Sequence, residues 1–110
     1  MAATFYIKQN DTAPSISAAL KDSNGRARSM VDAASIAFHM KDENGTIIVD
    51  TGAGIVLNPA KGTVAYDWQT GDTANTGIHS AEFQVTYNNG GIETFPNTGY
   101  IKVIVKDELA

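Results

Sequence analysis

Residues 63 to 87, TVAYDWQTGDTANTGIHSAEFQVTY, constrain the fold more than any other stretch, because two alternating apolar runs flank the one tryptophan of the chain. In the first run Val64, Tyr66 and Trp68 point one way and Thr63, Ala65 and Asp67 the other, the period of a half-buried strand. In the second, His79, Ala81, Phe83, Val85 and Tyr87 share a face opposite Ser80, Glu82, Gln84 and Thr86. The crossing between them, QTGDTANTG, is rich in Gly, Thr, Asp and Asn, residues that suit tight turns and not a long helix. A pair of strands this strongly patterned needs further strands to cover it, so the rest of the chain is read for partners.

Residues 3 to 9 alternate around Phe5 and Ile7 and end in the polar run Gln9 to Pro14. Ser15 to Lys21 alternates again, with Ile16, Ala18 and Leu20 on one side, before the turn Asp22-Ser23-Asn24-Gly25. Ser35 to Lys41 sets Ile36, Phe38 and Met40 inward, and Asp42-Glu43-Asn44-Gly45 turns it into Thr46 to Asp50, a strong hairpin signal. Thr51-Gly52-Ala53-Gly54 then separates that strand from the run Ile55-Val56-Leu57, which stops at Asn58 to Gly62. After the organising pair, Asn88-Asn89-Gly90-Gly91 makes a tight hairpin into Ile92 to Phe95, Pro96 to Gly99 breaks it, and Tyr100 to Lys106 closes with Ile101, Val103 and Val105 on one face. No segment carries apolar residues at helical spacing over three turns; at most one helical turn is expected, at Asp72 to Asn75 or else at Asp32 to Ser35. About eight strands at spacings of roughly ten residues predict an all-β, immunoglobulin-like antiparallel β-sandwich. Trp68, Tyr66, Phe83, Val85, Phe38 and Val103 are its expected core.

Length confines this to one domain spanning residues 1–110, with room for a single core. A net charge of -4 with eight scattered basic residues gives no footprint for a nucleic-acid backbone, so no nucleic-acid partner is expected. Cysteine is absent, which removes disulfides, thiolate metal sites and a Cys nucleophile. The opening MAATFYIKQND has no basic and apolar leader pattern, and no run approaches a membrane span, so synthesis in a cytoplasm and no membrane partner are expected. The terminal KDELA is not read as a retention signal, since Ala110 follows the tetrapeptide.

Candidate sites were weighed against plainer readings. The two Asp-x-Asn-Gly stretches at Asp22 and Asp42 offer oxygens beside Gly, but each lacks the second carboxylate and closing Glu of a calcium loop, so both are read as turns. His39 is expected on a solvated face, and His79 at the core edge with one ring nitrogen bonded to backbone. Asp67, Asp72 and Glu82 lie near the tryptophan, yet single acids on outward faces are usually solubilising, and the spacing that glycoside chemistry requires is not readable from sequence. Trp68 and Tyr66 could stack on a sugar if exposed, but both share the face of Val64 and read as core. No catalytic, cofactor-binding or metal site is therefore expected, and the protein is read as no enzyme.

The ordered elements Ile7-Lys8-Gln9-Asn10-Asp11-Thr12 with Pro14, Leu20-Lys21-Asp22 with Asn24-Gly25, Gly62 to Trp68, Asp72-Thr73, Gly77 leading to Ala81-Glu82-Phe83-Gln84-Val85, Thr94-Phe95-Pro96 and Ile101-Lys102-Val103 together resemble the N-terminal domain of phage baseplate upper proteins. Two features depart from that family's pattern: Met30 to Ala34 before the third strand, and His79 where an aromatic is usual. The resemblance implies an immunoglobulin-like sandwich with a non-enzymatic structural role in a tailed-phage virion, at the baseplate or tail or decorating the capsid. It implies other virion proteins as partners, self-association into a homo-oligomer on the particle, and no cofactor. A carbohydrate-binding module aiding host adsorption is the alternative. The short, weakly charged terminal strands Thr4 to Ile7 and Ile101 to Val105 read as open edges, with Met1 to Ile7 and the loops around Asn10 and Asn97 as candidate contacts.

Overall fold

The computed structural model describes residues 4–109. Among them there is no helix, and eight strands form in chain order: β1 (Thr4–Lys8), β2 (Ile16–Ala19), β3 (Ala33–Asp42), β4 (Ile47–Asn58), β5 (Thr63–Tyr66), β6 (Gly77–Tyr87), β7 (Ile92–Phe95) and β8 (Ile101–Lys106). The strand path is β1-β8-β6-β3-β4-β5-β2, with β7 paired to β6. The expected all-β sandwich of eight strands stands, and one pair within it, β1 on β8, runs parallel.

The path folds into two layers because β4 belongs to both. Its first half pairs with β3 (Val49 opposite Met40, Ala53 opposite Ala37) and its second half with β5 (Gly54 opposite Tyr66, Val56 opposite Val64). Residues 51–54, expected to separate two strands, are instead the corner of a single twelve-residue strand. Thr51 has a φ of 59°, and the β3–β4 register shifts between Phe38 and Met40, the signature of a bulge that bends a strand from one sheet to the other. The two glycines are required by contact: a Cβ on Gly52 would lie 2.5 Å from Tyr66 Cε1, and one on Gly54 would lie 2.6 Å from Ile36 Cγ2.

Between the layers sits the core expected from the sequence. Phe38, Phe83, Val85 and Val103 are fully buried, and Tyr66 and Trp68 are buried beside them. Phe38 stacks on Tyr66 at 4.5 Å, and Trp68 presents an edge to both Phe38 (5.7 Å) and Tyr66 (5.6 Å), the offset and edge-to-face arrangements that aromatic quadrupoles prefer. Phe5 on β1 packs on Trp68 from the other layer at 5.9 Å.

Turn chemistry follows the residues. Asp22 Oδ1 accepts hydrogen bonds from the Asn24 and Arg26 amides, and Asp42 Oδ1 accepts them from the Asn44 and Thr46 amides. The two stretches weighed as calcium loops are thus the same Asx-stabilised turn made twice. No helical turn forms at either place considered for one. Residues 70–73 make successive turns, in which the Asp72 and Ala74 amides donate to the Gln69 and Gly71 carbonyls, and Ala33 already begins β3.

Candidate functional site

Most residues singled out from the sequence serve the framework. Asp72 Oδ2 accepts from the Tyr66 hydroxyl at 2.6 Å and from the Gln69 amide at 2.8 Å. Burial first, and then that hydrogen bond to a carboxylate, hold the Tyr66 phenol well above its ordinary pKa. Asp67 accepts from the Ser15 hydroxyl. His39 is half-buried; its Nδ1 accepts from the Thr51 amide at 3.1 Å at the β4 corner, 3.7 Å from Asp50 Oδ1. His79 is 1% exposed with Nδ1 3.3 Å from the Gly77 carbonyl, and its buried Nε2 has no hydrogen-bond partner among the described residues. The Trp68 indole nitrogen is likewise buried with no partner among the described residues. Glu82, paired opposite His39, borders a shallow hollow of about 410 Å³ on the outer face of β3, β4 and β6, shared with Lys41, Gln84 and Tyr100. No group of three or more His, Cys, Asp or Glu suited to a metal ion occurs among the described residues.

A larger concavity lies at the seam where the two layers part. On one side, β2 ends in a hairpin bridged at Lys21 and Ala27, tied by the Asp22 amide donating to the Arg26 carbonyl at 2.9 Å and the Arg28 amide donating to the Leu20 carbonyl at 2.8 Å. Gly62, at a φ of 68°, lets this hairpin lie against the β4–β5 turn, where a Cβ would meet the Arg28 carbonyl oxygen at 2.1 Å. On the other side, β7 stops at Phe95 and the segment Pro96 to Tyr100 leads into β8. Arg28 Nε and Glu93 Oε1, 3.1 Å apart, tie the hairpin to β7, and Glu93 also accepts from the Tyr87 hydroxyl at 2.8 Å. The carboxylate raises the Arg28 pKa, and burial followed by the same carboxylate raises that of Tyr87.

What remains between these walls is a groove of about 470 Å³ with Ala18, Leu20, Phe95, Pro96 and Ile101 among its apolar lining and Lys21, Asp22, Ser23 and Asn97 at its polar rim. Ligand-binding concavities commonly measure about 300 to 1,000 Å³ and combine an apolar floor with a few polar groups. The sequence reading missed this site, apart from naming the loop around Asn97, because its walls come from segments 70 or more residues apart. Its local signal is the basic cluster Lys21, Arg26 and Arg28 around one tight turn. The edges also differ from expectation. β8 lies between β1 and β6, so only β1 of the two terminal strands is an edge. Of the N-terminal contact segment, Met1 to Ala3 lie outside the described residues, while Tyr6 is exposed.

No protein-family model matches the chain, nor does a curated protein match it significantly. A solved structure, that of CopC from Methylosinus trichosporium OB3b, is similar over 99% of this chain and 89% of its own, with a TM-score of 0.58 and 14% sequence identity. At that identity the likeness is one of fold. The expected virion role is overturned by this comparison, since the matching architecture is that of CopC and points away from a virion component. The sugar-binding alternative falls on geometry as well, because Trp68 and Tyr66, 4% and 3% exposed, have no face to offer a sugar ring.

Proposed function

We propose that the chain is a non-catalytic interaction module that captures a segment of a partner protein in the groove between β2 and the β7–β8 connection. The observation that carries this reading is the groove itself, about 470 Å³ with an apolar floor and a charged rim. The placement of the acid and base candidates supports it. His39 and Asp72 are engaged in holding the β4 corner and the 69–72 turn, and His79 faces the core and not an opening.

The test is selection of a random peptide library on the immobilised chain, followed by titration of enriched peptides into isotopically labelled protein. Enriched peptides are expected to shift the amide signals of residues 18–25 and 95–101. Perturbation confined to the outer face around Lys41 and Tyr100, or failure of any peptide to enrich, overturns the reading.

A further inference from the structure

We propose that the captured segment, if the groove reading above holds, binds as an added strand along the outer edge of β2, with apolar side chains in the groove and an acidic residue at the hairpin end. β2 is the terminal strand of the smaller layer, paired with β5 on one side only. The Leu20 amide donates to the Gly62 carbonyl at 2.8 Å, which fixes the phase of that antiparallel ladder. In such a ladder alternate residues turn their main-chain groups to the partner. Ile16 and Ala18 therefore face β5, and Ser17 and Ala19 turn their N–H and C=O outward.

That edge is short, four residues, but lacks the charge and proline that commonly guard an edge. Ile16 to Ala19 contains no charge and no proline, and Ser17 and Ala19 are exposed. Ala18 is the inward side chain beside the edge, and its small size leaves the groove open next to it. A strand laid along β2 places its own inward side chains as lateral neighbours of Ala18 and Leu20, within the roughly 4.5 to 5.5 Å at which cross-strand pairs interact. The added main chain supplies affinity, and the groove, by admitting alternate apolar side chains, supplies selectivity.

Charge decides what the end of that strand carries. The hairpin holds Lys21, Arg26 and Arg28 against the single acid Asp22, in a chain whose net charge is -4. Arg28 is taken by Glu93, whereas Lys21 and Arg26 have no ion-pair partner among the described residues. Lys21 also lines the groove, so a strand reaching the end of β2 brings its last residue beside an available ammonium. An extended apolar segment ending in Asp or Glu is the complement.

The experiment measures dissociation constants of the enriched peptides for the full chain and for Ser17→Pro, Ala18→Glu and Lys21→Glu, each first checked for a dispersed amide spectrum, with hydrogen exchange of the free and bound forms. Ser17→Pro deletes an outward donor and leaves the β5 ladder intact, and is expected to weaken binding at least roughly tenfold. The Ala19 amide is expected to gain protection when peptide binds, and Lys21→Glu to reverse the preference for acidic-ended peptides. If Ala18→Glu or Lys21→Glu weakens binding while Ser17→Pro binds like wild type and Ala19 gains no protection, strand addition is overturned and the groove reading stands. If none of the three variants changes affinity, or no peptide enriches, both are overturned. Lys21 is exposed, so its variant keeps the test decisive should Ala18→Glu fail to fold.

Discussion

Replacing Trp68 by alanine tests the core directly. The indole is 4% exposed and contacts three rings: Phe5 on one layer's edge strand, Phe38 on β3 and Tyr66 on β5. Truncating a buried Trp costs about 3 to 5 kcal/mol in transfer and cavity terms together. Three aromatic contacts, each worth about 0.5 to 1.5 kcal/mol beyond its area, place this site at the upper end of that range. One contribution runs the other way, because the unpartnered indole nitrogen is a buried donor whose removal relieves about 1 to 3 kcal/mol. The expected net loss is therefore about 2 to 4 kcal/mol, a large share of the roughly 5 to 15 kcal/mol by which a domain is stable. Trp68→Phe separates the two contributions: it keeps a ring and deletes the orphaned donor, and is expected to cost less than about 1.5 kcal/mol. Urea unfolding followed by far-ultraviolet circular dichroism reads both variants without relying on tryptophan fluorescence. A loss below about 1 kcal/mol for Trp68→Ala, the range of surface changes, would mean that the aromatic cluster does not hold the layers together.

Tyr66→Phe removes the hydroxyl that donates to Asp72 and is expected to cost about 1.5 to 3 kcal/mol at neutral pH, as for hydrogen bonds to charged groups. Because the folded-state pKa of Tyr66 is raised, its contribution is whole below the unfolded phenol's pKa of about 10 and is lost as pH climbs toward the folded value. Stability measured from pH 9 to 12 should fall more steeply in wild type than in this variant, and equal slopes would refute the assignment. Gly62→Ala sets a Cβ in a left-handed backbone conformation and against the Arg28 carbonyl, so a loss above about 3 kcal/mol is expected; a loss near that of an ordinary left-handed alanine would show that the hairpin yields without cost. His79→Leu deletes a buried nitrogen that has no partner and is expected to change stability by less than about 1 kcal/mol or to raise it. A loss above about 2 kcal/mol in denaturant titration would refute the reading of Nε2 as a dispensable buried nitrogen.

The fold was legible where a two-residue period ran long enough to be unambiguous. β6 is the clearest instance: its expected inward residues His79, Ala81, Phe83 and Val85 are all buried, and Tyr87 at its end is partly so. The register of β4 was not legible. Thr51-Gly52-Ala53-Gly54 reads locally as a break because glycine is poor in strands, yet here the two glycines are what permit the strand to pass under Tyr66 and over Ile36 at the corner. That requirement is set by residues 14 and 18 positions away, and nothing in the local pattern carries it. The place of β1 escaped for a related reason. A strand's own alternation fixes which face is inward but not which neighbour it takes, and the parallel pairing of the first strand with the last leaves no trace in either.

The groove shows the same limit from the functional side. From the sequence, Ala18 and Leu20 read as the same side of an alternating run with Ile16, which marks an ordinary strand face and not a groove. Leu20 and Phe95 belong to the core and form the base of a concavity, with Ala18 partly exposed beside them, because the path ends on β2 in one layer while β7, attached to β6, stops short in the other. Above that core base, Arg28 meets Glu93 and Ser23 approaches Asn97 at 3.5 Å across the gap. An apolar floor, a strand edge without charge or proline, and Lys21, without an ion-pair partner among the described residues, thus fall together through topology. Each is unremarkable alone, since exposed apolar residues, short edges and surface lysines are common on soluble proteins. Their coincidence gives the chain a surface matched to an extended, acidic-ended segment, and it places that surface on the side of the sandwich opposite the β4 corner that fixes the layers.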